Sequence, residues 1–207
     1  MGRSGSSWFA DAVRPVVTRG DARGYHPVEM TDAVLARLTR DGDESAFATL
    51  VDRHAGACLR FATRMLGTLE DAEEVTQDTF WRAHRALARY DDQLSFRTWL
   101  MSILINRCRT ALLHRQRRTA RVVVDDDAVE HATVPSTASD TELRDALERA
   151  VAQLEAGQRE AFLLKHVELL SYDEMSGATG VGVSALKMRV QRACERLQDL
   201  LEDDRHA

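Results

Sequence analysis

The side chains of this chain that can do chemistry are charged, and they are grouped by sign. Between Phe96 and Arg121 the sequence reads FRTWLMSILINRCRTALLHRQRRTAR, with Arg97, Arg107, Arg109, Arg115, Arg117, Arg118 and Arg121 and no acid. The chain as a whole carries a formal net charge of −5. A purely basic stretch in an acidic chain sets up a local positive field that suits a polyanion. Tyr90, Phe96 and Trp99 add rings that can stack on an unpaired base, worth about 1–3 kcal/mol each. Packing into a core is an equally good reading of Phe96 and Trp99. A second basic group lies near the C-terminus, in VSALKMRVQRA from Val183. Lys187, Arg189 and Arg192 suit phosphates or guanine edges, and Gln191 suits adenine. The plainer reading is a solvated basic helix face. The third group has the opposite sign: Glu70, Asp71, Glu73, Glu74, Gln77 and Asp78. DNA repels such a surface, so it points to a protein partner.

Nothing in the sequence suggests catalysis. No glycine-rich phosphate loop, HExxH or GxSxG occurs. His54 and Cys58 are four apart, but two ligands do not make a metal site, and Cys58 reads as core. No cofactor or metal is expected. Cys58, Cys108 and Cys194 lie far apart with no CxxC, which suits reduced thiols in a cytoplasmic protein. The longest apolar run, Trp99 to Ile105, is interrupted by Ser102 and falls far short of the ~20 residues a membrane helix needs. No membrane insertion and no signal peptide are expected.

The elements that position these groups follow from glycine, proline and periodicity. Pro15, Pro27 and Pro135 lie outside the periodic blocks, and no glycine falls between Thr68 and Ala156, so long helices are allowed. Residues 1–27 read as a poorly ordered extension with no assigned role. Residues 28–118 form a first helical domain. In it Asp43 caps a helix through Arg64, and Thr68 caps a helix from Leu69 to Arg89. Tyr90 to Ser95 makes a loop, and the basic helix opens at Ser95 or Phe96. Its apolar face is Leu100, Ile103, Leu104, Cys108 and Ala111; Ser102, Asn106 and Arg109 form its polar face. Residues 119–141 read as an acidic linker. Asp125, Asp126, Asp127 and Glu130 there either solvate a flexible segment or mimic phosphates beside the arginines.

Residues 142–207 form the second domain. Leu143, Leu147, Val151 and Leu154 make one stripe, and Gly157 punctuates. Ala161, Phe162, Leu164, His166 and Val167 sit in a second helix. Ser171 and Glu174 form a capping box, Gly180 and Gly182 a turn, and Val183 starts the last helix. Val183, Leu186, Val190, Ala193 and Leu197 bury one face of it. A short capped helix, a glycine turn and a longer basic helix make a helix-turn-helix.

The motifs resemble a known family. DAEEVTQDTFWRA, at Asp71 to Ala83, resembles the polymerase-binding region 2 helix of extracytoplasmic-function sigma factors. FRTWLMSILINRCR, at Phe96 to Arg109, is similar to the helix that follows, with its W-L-x-x-I-x-x-N pattern at Trp99, Leu100, Ile103 and Asn106. LEAGQREAFLLKHVELLSYDEMS and VSALKMRVQRA resemble region 4. The resemblance covers roughly Asp41 to Arg118 and Leu143 to Leu201.

It implies an all-α chain of two small helical domains that binds bacterial core RNA polymerase and promoter DNA. Asp71, Glu74, Gln77 and Asp78 would dock on polymerase. Arg97, Trp99, Asn106, Arg107 and Arg109 would hold the melted minus-10 element. Ser184, Ala185, Lys187, Met188, Arg189, Gln191 and Arg192 would read the minus-35 duplex. A cognate anti-sigma factor is a further partner the family allows. The chain departs from the family pattern at Thr110, at Met175-Ser176 and at Ser184-Ala185, so its promoter sequence does not follow from the resemblance. The alternatives are a stand-alone helix-turn-helix regulator, an enzyme with a DNA-binding tail and an adaptor that binds polymerase without reading DNA.

Overall fold

The computed structural model describes residues 30–91, 94–121 and 140–206. The expected N-terminal extension and the acidic run at Asp125 to Glu130 lie outside the described residues. Helix α1 spans Asp32–Arg40, α2 Glu44–Leu66 and α3 Leu69–Ala86, followed by a tight turn at Leu87–Arg89. Helix α4 spans Phe96–Arg121. Then come α5 at Asp140–Gln153, α6 at Ala156–Phe162, a π-helical turn at Leu163–Val167, α7 at Tyr172–Thr179 and α8 at Val183–His206.

Most of these boundaries have a local cause. The first turn of a helix leaves backbone N–H groups without partners, and a short polar side chain satisfies them. Asp43 accepts from Ser45 N at 2.9 Å and Ala46 N at 3.3 Å to start α2. The hydrogen bond from the Ser45 hydroxyl, with those from the backbone, holds its carboxyl below the usual range. Gly67 ends α2 in the left-handed conformation (φ 84°), which costs glycine little. Thr68 Oγ1 donates to the Asp71 carboxylate at 2.9 Å and accepts from Asp71 N, opening α3. Ser95 Oγ accepts from Thr98 N at 3.1 Å and opens α4.

The long helices bury one stripe each. α2, α3 and α4 pack on one another around Phe61, Phe80 and Leu104, all without solvent exposure. In the second block α6, α7 and α8 pack together, and α5 lies on α8. Leu164, Leu186 and Ala193 are fully buried there. α7 also packs on α4, and α5 and α6 touch α2, so both blocks meet along the basic helix. None of the described helices is long and apolar enough to cross a membrane.

Three expectations need correction. The break in the second block falls at Leu154–Glu155, and Gly157 lies inside α6 rather than ending a helix. The segment from Ala161 to Val167 is not one regular helix: it widens into the π-helical turn from Leu163. Leu147 is 38% exposed and does not join the buried stripe, whose place is taken by Ala150 with Val151 and Leu154.

Candidate nucleic-acid interface

The helix-turn-helix is built by α7, its turn and α8. Glu174 N donates to Ser171 Oγ at 3.2 Å, while the Ser171 N–H and hydroxyl each donate to the Glu174 carboxylate at 2.8 Å. This reciprocal cap holds the Glu174 carboxyl below the usual range, first through the Ser171 backbone N–H. Gly180 then turns the chain at φ 70°. Leu186, Val190, Ala193 and Leu197 face inward from α8.

That burial orients the opposite face. Ser184, Ala185, Lys187, Gln191 and Arg192 are exposed, and Met188 is 49% exposed. Lys187 Nζ lies over the Tyr172 ring at 5.6 Å, and Gln191 Nε2 donates to Glu195 at 2.9 Å. Arg189 differs from its neighbours. It is half-buried, and its guanidinium lies against Gly157 of α6, 3.7 Å from where a β-carbon would stand there. Six of the seven residues expected on the reading face are thus presented together, and Arg189 is held to one side.

On α3, Glu70, Glu73, Glu74 and Gln77 are exposed, whereas Asp71 and Asp78 are half-buried. Asp71 is engaged by Thr68. Asp78 accepts from Arg82 Nε at 2.8 Å and also pairs with Arg107 of α4. The acidic and basic surfaces therefore share an edge, along which one carboxylate serves both. Trp81 is 49% exposed beside the acids, with the Arg85 guanidinium 4.5 Å from its ring centre.

α4 presents its polar residues less freely than its sequence suggests. Phe96 is buried, and Trp99 is half-buried in a ring cluster, 5.0 Å from Tyr90 and 5.6 Å from Phe96. The Tyr90 hydroxyl closes the preceding loop by donating to Leu94 O at 2.9 Å. Asn106 is exposed. Arg109 was expected on a solvent-facing strip, but it reaches into the second block instead. Its Nε and Nη2 grip both oxygens of Glu160 at 2.8 and 2.7 Å, and Nη1 donates to Thr179 O at 3.2 Å. The pairing raises the guanidinium's already high pKa. Arg97 Nη2 donates to Glu168 at 2.6 Å.

Glu160 and Glu168 were not singled out in the sequence. Each sits 51 or 71 residues from its arginine, and no local spacing signals the pair. Both are buried, with side chains 3% and 5% exposed. Glu168 precedes a reversal at Leu169, a leucine with φ 56° and 78% exposure. Leu170 N donates back to Leu164 O at 3.0 Å, closing that turn. A left-handed residue is normally glycine, so the turn carries no sequence mark.

The cysteines do no visible chemistry. Burial pushes the Cys58 and Cys108 thiols up to about 12. Cys194 Sγ lies 3.8 Å from His166 Nε2. Among the described residues, no three or more His, Cys, Asp or Glu side chains gather as metal ligands would.

Residues 50–118 match the family Sigma-70 region 2, and residues 144–197 match Sigma-70, region 4. The RNA polymerase sigma factor CarQ of Myxococcus xanthus is 36% identical over 162 residues, 78% of this chain and 92% of that protein. The RNA polymerase sigma factor NccH of Alcaligenes xylosoxydans xylosoxydans is 34% identical, covering 83% of this chain and 95% of its own length. The ECF RNA polymerase sigma-E factor of Escherichia coli is 27% identical, covering 84% and 96%. Two solved structures share the fold. The sigma factor RpoE in complex with the anti-sigma factor NepR, from Bartonella quintana, aligns at a TM-score of 0.66 with 28% identity, covering 75% of this chain and 96% of that one. CnrH in complex with the cytosolic domain of CnrY aligns at 0.62 with 33% identity, covering 84% and 98%.

Proposed function

The chain belongs to the extracytoplasmic-function sigma factor family of RNA polymerase, and we propose how its charged surfaces divide the work of such a factor. It binds core RNA polymerase and promoter DNA and directs promoter-specific initiation. The exposed face of α8 carries the reading best: it is ordered by a capped helix and a glycine turn, and it faces solvent. Ser184, Ala185, Lys187, Met188, Gln191 and Arg192 read the minus-35 duplex. Arg189 joins them by leaving Gly157 or by steadying α8 on α6.

Asp71, Glu74, Gln77 and Asp78 on α3 dock on polymerase. Arg97, Trp99, Asn106, Arg107 and Arg109 on α4 hold the minus-10 element as its strands part. A flipped base costs a few kcal/mol, which stacking and phosphate contacts offset. The working units are residues 28–118 and 142–207, joined through 119–141, where α4 adds helix as far as Arg121 and α5 begins at Asp140. The protein works without catalysis or cofactor, in the cytoplasm where core polymerase is. An anti-sigma factor is its regulator. That proposal draws on the two solved relatives, each a sigma factor bound to an anti-sigma factor or to a partner's cytosolic domain.

Run-off transcription with core polymerase on a genomic promoter library tests the function, and RNA without selected start sites would overturn it. Asp78 already serves Arg82 and Arg107, so the cleaner probe of docking is the exposed Glu74. Glu74→Lys is expected to weaken polymerase binding about ten-fold, an electrostatic loss of ~1.4 kcal/mol. Unchanged affinity in a titration would remove α3 from the interface.

A further inference from the structure

We propose that Trp81 is the apolar anchor that seats α3 on core polymerase, and that the acids around it steer the encounter rather than hold it. The inference rests on the reading that α3 docks on polymerase. It names a residue outside the docking set, and the kind of surface that receives it. Trp81 follows Gln77 by four residues and Glu74 by seven, so the three share one stripe along about 10 Å of helix. Ala72, Val75, Thr79, Phe80 and Ala83 are buried on the other side of α3, so this stripe points away from the core. About half of Trp81 is open to solvent, and the Arg85 guanidinium lies over its ring. Trp99, by contrast, packs against Tyr90 and Phe96.

The fold does not account for Trp81. A tryptophan facing water forgoes one of the largest apolar burials a side chain offers. The stack with Arg85 is an i,i+4 contact on an exposed helix face and recovers little of it. Interfaces reverse that balance. Tryptophan is enriched at their energetic centres, in pockets that exclude water, with polar groups around the rim. The stripe has that layout: Glu74 and Gln77 lie on one side of Trp81 and Arg85 on the other, all exposed. The dipole of α3 explains Glu70 and Asp71 in its first turn, but it fades before Glu74. Glu70 and Glu74 are also like charges four residues apart, an arrangement unfavourable in a free helix. A cationic partner relieves that repulsion. The receiving surface is therefore an apolar pocket for an indole ring, bordered by basic side chains on the Glu74 side.

The two kinds of group have separate kinetic roles. Exposed rim charges act at a distance and set the rate of encounter, whereas a desolvated anchor sets the rate of escape. Arg85 is a positioning residue: stacked on the ring, it orders the indole before contact and lowers the cost of seating it.

Stopped-flow fluorescence with labelled full-length chain and core polymerase measures both rates. Trp81→Ala is expected to weaken binding about thirty-fold, nearly all of it as faster dissociation. Trp81→Phe, which keeps a ring, should recover part of that loss. Glu74→Lys should instead slow association, by a factor that shrinks as salt rises. Arg85→Ala should speed dissociation a few-fold, and should add nothing in the Trp81→Ala background. An Arg85→Ala effect that persists there overturns the positioning role. Where Trp81→Ala folds poorly, Trp81→Cys in a Cys194→Ser background, carrying a polarity-sensitive dye, gives the second reading. The dye should report dry surroundings when core polymerase is in excess, and a dye that stays wet overturns the anchor.

The anchor and the docking face fail differently. Unchanged dissociation in Trp81→Ala, with slowed association in Glu74→Lys, overturns the anchor and leaves α3 at the interface. A Trp81→Ala chain altered only in its association rate overturns the anchor as well. Parental rates in both variants remove α3 from the interface, and the anchor with it.

Discussion

On α8, Lys187, Met188, Gln191 and Arg192 face solvent, whereas on α4 Arg97, Arg107 and Arg109 each meet a carboxylate. Both faces carry cationic side chains; the surroundings differ. α8 buries Leu186, Val190, Ala193 and Leu197 within its own block and leaves the opposite side exposed. α4 is shared. One stripe of it, with Leu100, Met101, Leu104, Ile105 and Cys108, is buried at 2% exposure or less. Another part meets α7. A basic residue on a shared helix has partners within the molecule, and its charge is not evidence of a free binding surface. The comparison therefore separates a basic face left open to solvent from one whose arginines are paired within the molecule.

The largest effect that would break this contrast lies under α4. Leu104 has no solvent exposure, and truncation there leaves a cavity in packed surroundings. Leu104→Ala should cost about 2–5 kcal/mol in urea unfolding, the lost transfer energy plus the cavity. A loss below about 1 kcal/mol would mean that the site collapses easily. The arginines of α4 would then not be held in fixed positions, and their pairing with Glu160 and Glu168 would not distinguish them from those of α8.

A smaller effect sharpens the open side. Lys187→Ala should weaken binding of the free chain to duplex minus-35 DNA by about 1–3 kcal/mol if it meets a base edge. If it meets only phosphate, the loss should be uniform across sequences, and the salt slope should fall by about one. Lys187 must leave the Tyr172 ring to do either, but that cation–π contact is worth only about 0.5–1 kcal/mol at an exposed site. Electrophoretic titration at two salt concentrations separates the cases. No change at either would take α8 out of the interface.

What the sequence reveals here divides along the same line. Asp43, Thr68, the Ser171–Glu174 box and the Gly180 turn are legible because each acts within about one helical turn of itself, where spacing alone fixes geometry. The exposed face of α8 follows from its apolar repeat, since burial of Leu186, Val190, Ala193 and Leu197 decides where the other side points. The pairs Arg97–Glu168 and Arg109–Glu160 are illegible because they depend on how the two blocks meet, and no periodicity encodes that. Leu169 hides a left-handed turn behind an ordinary leucine. Leu147 fits the stripe by spacing yet stays partly exposed, because α5 lies on the outside of α8 and is covered less completely than its period implies.

The smallest effect concerns the cap that sets α7, on which both surfaces depend: α7 leads into α8 and also packs on α4. Glu174 holds the N-terminus of α7 through the Ser171 N–H and hydroxyl, and these bonds favour the charged carboxylate. Its folded pKa is therefore lowered from the ordinary 4.5. A lowered carboxyl pKa contributes stability that is fully present above the unfolded value and is lost as pH falls through the folded one. Glu174→Ala should cost about 0.5–1 kcal/mol at neutral pH, the usual size for losing part of a cap. That difference should shrink as pH drops below 4.5, because the native carboxylate then loses its charge as well. Urea unfolding of both chains across that range checks the sign. A difference that held constant, or grew, in acid would show that Glu174 stabilises α7 by packing rather than by charge.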